Sequence, residues 1–127
     1  MSFLIKSLAA VLLLVATLAL PARAAEDVSF EEITRMLQTK AVTLIDVREA
    51  DEFAAGHVPG AVNMPLSQLN PAMVPTSTAD KPVVVMCRSG NRSSKAQAAL
   101  AQAGRTDIRN FKGSMIEWTA RGAPIAK

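Results

Sequence analysis

Short β-branched runs alternate along this chain with stretches of helical periodicity, and that alternation limits the fold more than any other feature. Val42-Thr43-Leu44-Ile45 reads as a buried strand that ends at Asp46. Ala61-Val62-Asn63-Met64 reads as a second strand, opened by Pro59-Gly60 and stopped by Pro65. Pro82 opens the apolar run Val83-Val84-Val85-Met86, and Asp107 to Phe111 supplies a further strand. Strands alternating with helices predict an α/β fold with a mostly parallel central sheet and helices on both faces. In such sheets, sites form beyond the C-terminal ends of strands, where Asp46 and Cys87 both stand.

The helical stretches carry their own punctuation. Ser29 followed three residues later by Glu32 reads as a capping box, and Phe30, Ile33, Met36 and Leu37 recur at helical spacing, so 29–39 is predicted helical. Glu49 to Ala55 reads as one or two turns closed by Gly56. Leu66 to Leu69 is a short turn, and 70–81 is an irregular loop with one turn in it. Asn91 to Ala103 is an Ala-rich helix stopped by Gly104, with Ala96, Ala99, Leu100 and Ala103 expected on one face. Gly113 to Ala120 is a last short helix carrying Met115, Ile116 and Trp118.

The first residues read as a targeting signal rather than part of the fold. Lys6 precedes an apolar run from Leu8 to Leu20, broken only by Thr17, and Ala22-Arg23-Ala24 forms a small-x-small cleavage site. A membrane span needs about 20 apolar residues, so the run is short for an anchor. The expected organisation is a cleaved signal over 1–24 and one domain over 25–127, periplasmic if the source is Gram-negative. Processing removes Lys6 and Arg23, which takes 14 Lys+Arg to 12 against 11 Asp+Glu. The high pI is therefore no argument for nucleic acid or membrane partners. Aromatic residues are too few to build a stacking platform for bases.

Cys87 is the only cysteine. It cannot form an internal disulfide or run a two-cysteine redox cycle, and with His57 as the only His it falls short of a zinc set. The expectation is no metal and no organic cofactor. A strand delivers Cys87 into the loop Arg88-Ser89-Gly90-Asn91-Arg92-Ser93, which opens a helix. N–H groups at a helix start bind anions, and the helix dipole with Arg88 and Arg92 is expected to lower the thiol pKa toward the thiolate. Gly90 suits a positive φ that would curl the backbone toward the sulfur. A cation at a helix N-terminus is unfavourable, so Arg92 implies a nearby anion, and a substrate role is expected for it.

These motifs together resemble the rhodanese family. Ile45-Asp46-Val47-Arg48-Glu49, Glu52-Phe53 and Gly56-His57-Val58-Pro59-Gly60-Ala61-Val62-Asn63-Met64-Pro65 resemble its N-terminal signature. The 87–93 loop resembles its active-site loop, and Gly113, Trp118, Gly122 and Pro124 follow its tail pattern. Lys112 stands where many members carry a second Gly. Export of a single such domain is similar to the phage shock protein E type. The resemblance implies a rhodanese-like fold and sulfurtransferase chemistry. Cys87 would be the nucleophile and sulfur carrier, taking sulfur from thiosulfate or a similar small anion and passing it to cyanide or a thiol through a persulfide. Arg88, Ser89, Gly90, Asn91, Arg92 and Ser93 would bind the donor. A protein thiol is a further candidate acceptor.

Loop length bears on the substrate. Four residues separate Cys87 from Arg92, whereas cysteine-dependent phosphatases, including the rhodanese-like cell-cycle type, have five. The shorter loop favours a sulfur atom over a phosphate. Asp46, Arg48, Glu52 and His57 are read as structural neighbours of the site. Arg48 and Glu52 are four apart and can form an ion pair, Asp46 can cap the following turn or bind the active loop, and His57 is expected to order its turn. Trp118 is expected in the core. The alternative reading is a persulfide carrier or interaction module with little small-molecule turnover.

Overall fold

The computed structural model describes residues 27–127; the expected signal over 1–24 and its cleavage point lie outside them. Four strands, β1 (Thr43–Asp46), β2 (Val62–Asn63), β3 (Val83–Met86) and β4 (Arg109–Asn110), form one sheet in the order β2-β1-β3-β4. Every pairing is parallel, with Ile45 opposite both Val62 and Val85 and Val84 opposite Arg109. The helices are α1 (Phe30–Gln38), α2 (Ala50–Ala55), α3 (Asn91–Gln102) and α4 (Ser114–Ala120), with short 3-10 turns at Leu66–Gln68 and Pro71–Met73. The edge strands β2 and β4 are shorter than the strands expected over 61–64 and 107–111.

All four residues of β3 are buried, as an inner strand covered on both faces requires. Strand alternation divides the core in two. Leu44, Val84 and Met86 pack with Ile33 of α1 and with Met115 and Trp118 of α4. Ile45, Val83, Val85 and Cys87 pack with Ala96 and Leu100 of α3. Fully burying each aliphatic side chain contributes about 1.5–3 kcal/mol, so both layers are needed to hold the central strands dry.

Several local expectations change. Ser29 Oγ accepts the Glu32 N–H at 3.1 Å as a helix cap, but the Glu32 carboxylate accepts from both Nη atoms of Arg109 at 2.8 and 3.0 Å. The capping box is therefore half formed, because a guanidinium offers the carboxylate stronger bonds than one backbone N–H. Ala99 of α3 and Ala103, which caps its C-terminus, are exposed, and the buried face is Ser93, Ala96 and Leu100. Alanine tolerates both environments, so its spacing marks a face poorly. Trp118 is buried, with Nε1 donating to Pro124 O at 2.7 Å and its ring 5.6 Å from that of Phe30.

Candidate active site

Cys87 follows the last residue of β3 and continues its alternation, so its side chain enters the layer beneath α3. The chain then turns sharply at Gly90, which caps α3 with φ 88°. A Cβ built there would lie 2.4 Å from Lys112 O, so both conformation and space restrict this position to glycine. The turn brings the Gly90 N–H to 3.1 Å and the Ser93 N–H to 3.4 Å from Cys87 Sγ. The Ser93 hydroxyl lies 3.4 Å from the same sulfur. The thiol is free and only 1% exposed.

Burial pushes the Cys87 thiol up. Hydrogen bonds from the Ser93 hydroxyl and from the N–H groups of Ser93, Ser89 and Gly90 outweigh it, and hold the thiol below its ordinary value of 9.0. The arrangement thus stabilises a thiolate mainly through the loop itself, with a Coulombic attraction between Arg92 and Cys87 beside it.

Arg92 and Arg48 each pair with a carboxylate. Arg92 donates from Nη1 to Glu52 Oε1 at 2.6 Å and from Nη2 to Glu52 Oε2 at 2.9 Å. The anion implied by a cation at the α3 start is therefore a side chain of α2. This bidentate pair holds the Glu52 carboxyl down to about 2 and makes Arg92 harder to deprotonate. It also replaces the expected Arg48–Glu52 ion pair. Arg48 turns inward to Asp46, with Nε 3.0 Å from Oδ1 and Nη2 2.7 Å from Oδ2, and Nη2 also donates to Gly56 O at 2.8 Å. Asp46 is fully buried, and a buried carboxylate needs its counter-ion next to it. Arg48 touches Glu52 through the backbone, at 3.4 Å from its carbonyl oxygen. Asp46 Oδ1 also accepts the Arg48 N–H at 3.0 Å, which locks the turn out of β1.

His57 sits outside this group. Its Nδ1 is 2.8 Å from Phe53 O, its ring stacks on Phe53 at 3.7 Å, and its backbone bridges to Ala126. Arg88, Ser89 and Asn91 are exposed around the loop. Arg88 lines an open cleft of about 380 Å³, with Glu52 on one side and Met115, Ile116 and Thr119 on the other.

Sequence reasoning missed Ser114. This buried residue has φ 52°, and its Oγ accepts the Cys87 N–H at 3.0 Å while donating to Phe111 O at 2.8 Å. The N–H groups of Met115 and Ile116 donate to Cys87 O and Arg88 O at 3.1 and 3.0 Å. The start of α4 thus fastens the backbone at Cys87. A serine after Gly113 at a helix start gave no local sign of this partner.

A family model described as the rhodanese-like domain matches residues 29–121. A sulfurtransferase of Allochromatium vinosum is 38% identical over 91 residues, covering 72% of this chain and 84% of its own length. The human thiosulfate:glutathione sulfurtransferase is 36% identical over 107 residues, covering 74% of this chain and 93% of its own. An uncharacterized Synechocystis protein is 38% identical over 95 residues, or 75% of this chain, but the match takes in only 52% of that protein. The chain spans about half the length of that relative. Among solved structures, a human single-domain sulfurtransferase superposes with a TM-score of 0.64 at 31% identity, over 75% of this chain and 96% of its own. A rhodanese-related protein from Thermoplasma volcanium superposes with a TM-score of 0.68 at 28% identity, over 80% of this chain and 97% of its own. Relatives bearing the sulfurtransferase name support a role in sulfur transfer. With the parallel sheet and the cysteine loop as described, the chain belongs to the rhodanese-like domain family.

Proposed function

We propose that this protein is a sulfurtransferase that carries sulfane sulfur as a persulfide on Cys87. The observation that carries the reading is the convergence of the Gly90 and Ser93 N–H groups on a free thiol, at 3.1 and 3.4 Å. The Cys87 thiolate attacks the outer sulfur of thiosulfate or a similar donor. A bond forms between Sγ and that sulfur, the bond to the sulfite sulfur breaks, and sulfite leaves with the electron pair. Cyanide or a thiolate then attacks the outer sulfur, and Cys87 regains its pair as thiolate. Each encounter joins two negative partners, and the loop N–H groups offset that repulsion.

Incubating the protein with thiosulfate tests the reading. Intact mass is expected to show one added sulfur, and cyanide is expected to release it as thiocyanate. Cys87→Ser is expected to show neither. Absence of sulfur on the wild-type chain would sink the proposal. The 1% exposure of Cys87 favours one alternative, a persulfide carrier with little small-molecule turnover. Sulfur loading without thiocyanate release would select it.

The same reading puts the protein in the periplasm of a Gram-negative source, as an exported single domain similar to the phage shock protein E type. The apolar run from Leu8 to Leu20 and the Ala22-Arg23-Ala24 site support export. N-terminal sequencing of protein from a periplasmic fraction is expected to begin at Ala25. A chain that keeps Met1 and stays with the cytoplasmic fraction would remove this part.

A further inference from the structure

Among the described residues, three guanidinium groups lie at the Cys87 loop or line the cleft beside it, and two are already engaged. Arg48 is buried on Asp46, and Arg92 is held by both carboxylate oxygens of Glu52. The Nη1 and Nη2 donors of Arg92 are thus committed to Glu52, although its charge still acts on Cys87. Arg88 differs from both. Its side chain is exposed, and among the described residues it has no ion-pair or hydrogen-bond partner.

Arg88 shares its cleft with Arg48, Glu52 and Thr119 as well as with apolar side chains. It lines the cleft with Met115 and with Ile116, whose side chain is 54% exposed. The Ile116 N–H donates to Arg88 O at 3.0 Å, so these two residues share one rim. A free cation beside apolar surface, one residue from the sulfur carrier, fits a molecule with a carboxylate on a short apolar body. Cyanide fills neither feature. We infer that Arg88 determines acceptor specificity, selecting small thiols that bear a carboxylate, and that Glu52 confines this task to Arg88 by holding Arg92 away from it.

The inference rests on the sulfurtransferase reading. The acceptor thiol gives its proton to solvent, and its thiolate attacks the outer sulfur of the Cys87 persulfide. A new S–S bond forms on the acceptor, the bond to Cys87 Sγ breaks, and the electron pair returns to Cys87. The carboxylate takes no part in the chemistry. Paired with Arg88, it keeps the acceptor at the rim while the sulfurs meet.

The test uses protein loaded from thiosulfate and freed of excess donor. Its discharge is timed with 3-mercaptopropionate, 2-mercaptoethanol and cysteamine. These thiols differ in intrinsic reactivity, so each rate ratio is compared between protein variants. Arg88→Gln is expected to lower the ratio of mercaptopropionate to mercaptoethanol by roughly 3–10-fold, the range for a charge-assisted contact that is partly solvated. Ile116→Glu, at an exposed position, is expected to lower the same ratio and to raise that of cysteamine. In a Glu52→Gln background, which frees Arg92, the Arg88→Gln defect is expected to shrink. An unchanged ratio in Arg88→Gln overturns the assignment, and an equal defect in both backgrounds overturns the part given to Glu52. Wild-type protein that takes up no sulfur overturns the sulfurtransferase reading itself, and the acceptor assignment falls with it.

Discussion

Ser114 Oγ accepts the N–H of Cys87 at 3.0 Å across an interval of 27 residues. The same hydroxyl donates to Phe111 O at 2.8 Å, so one buried side chain ties Cys87 to the turn before α4. Ser114 holds φ at 52°, a conformation that is rare without glycine. Such strain persists where the surroundings fix the residue on several sides, and Ser114 is fixed by its N–H, its hydroxyl and its burial.

Ser114→Ala would leave the Cys87 N–H buried without a partner. The expected cost is about 1–3 kcal/mol, read as a lower urea midpoint with an unchanged slope. Sulfur loading is expected to slow as well, because Cys87 loses its anchor. Wild-type stability in this variant would show that the hydroxyl is dispensable.

The pH response of Cys87 follows from its lowered pKa. Alkylation by iodoacetamide is expected to have a midpoint below the ordinary 9.0, and Ser93→Ala is expected to move it upward. The linked stability has a definite sign. A group whose folded pKa is depressed stabilises fully above its unfolded pKa, and loses that contribution as pH falls through the folded value. The stability advantage of wild type over Cys87→Ser should therefore grow as pH rises toward 9.0. Denaturant midpoints across that range measure it, and an advantage that shrank with pH would contradict the assignment.

Gly90→Ala meets two obstacles, a φ of 88° and a Cβ only 2.4 Å from Lys112 O. The backbone term alone costs about 1–3 kcal/mol, and relief of the clash must shift the loop. Loss of sulfur loading is expected to exceed what the fall in melting temperature explains. Gly104→Ala provides a control with positive φ and open space around its Cβ, away from the loop. It should lose stability and keep loading.

Arg48→Met would leave the fully buried Asp46 without its counter-ion. A loss of about 3–5 kcal/mol is expected. The double variant Arg48→Met with Asp46→Leu should recover part of it, because no unpaired buried charge remains. Chemical denaturation of both proteins measures the difference, and a harmless single variant would refute the account.

The layered α/β arrangement was legible because Val42 to Ile45 and Val83 to Met86 are β-branched runs bounded by breakers. The thiol was legible from one junction, where a strand end meets Gly90 and a helix start. Partners distant in the chain were not. Glu52 and Arg92 stand 40 residues apart, and nothing local favours that pair over the expected Arg48–Glu52 contact. The choice is settled by the burial of Asp46, which claims Arg48, and burial is a property of the assembled sheet. Ser114 was hidden for the same reason, since only the folded chain brings it under Cys87. Ala99 and Ala103 misled because alanine scarcely distinguishes core from surface.

Val83, Val85 and Cys87 share one side of β3, while Val84 and Met86 share the other. Cys87 thus continues a two-residue rhythm set by the strand before it. Sliding β3 by one residue against β1 would send Met86 toward α3 and carry Cys87 to the opposite layer, away from Gly90 and Ser93. The hydrogen bonds that Cys87 Sγ receives therefore depend on the register of the central strand. If the proposed sulfur loading holds, it reads out the threading of β3 as well as the chemistry of one thiol.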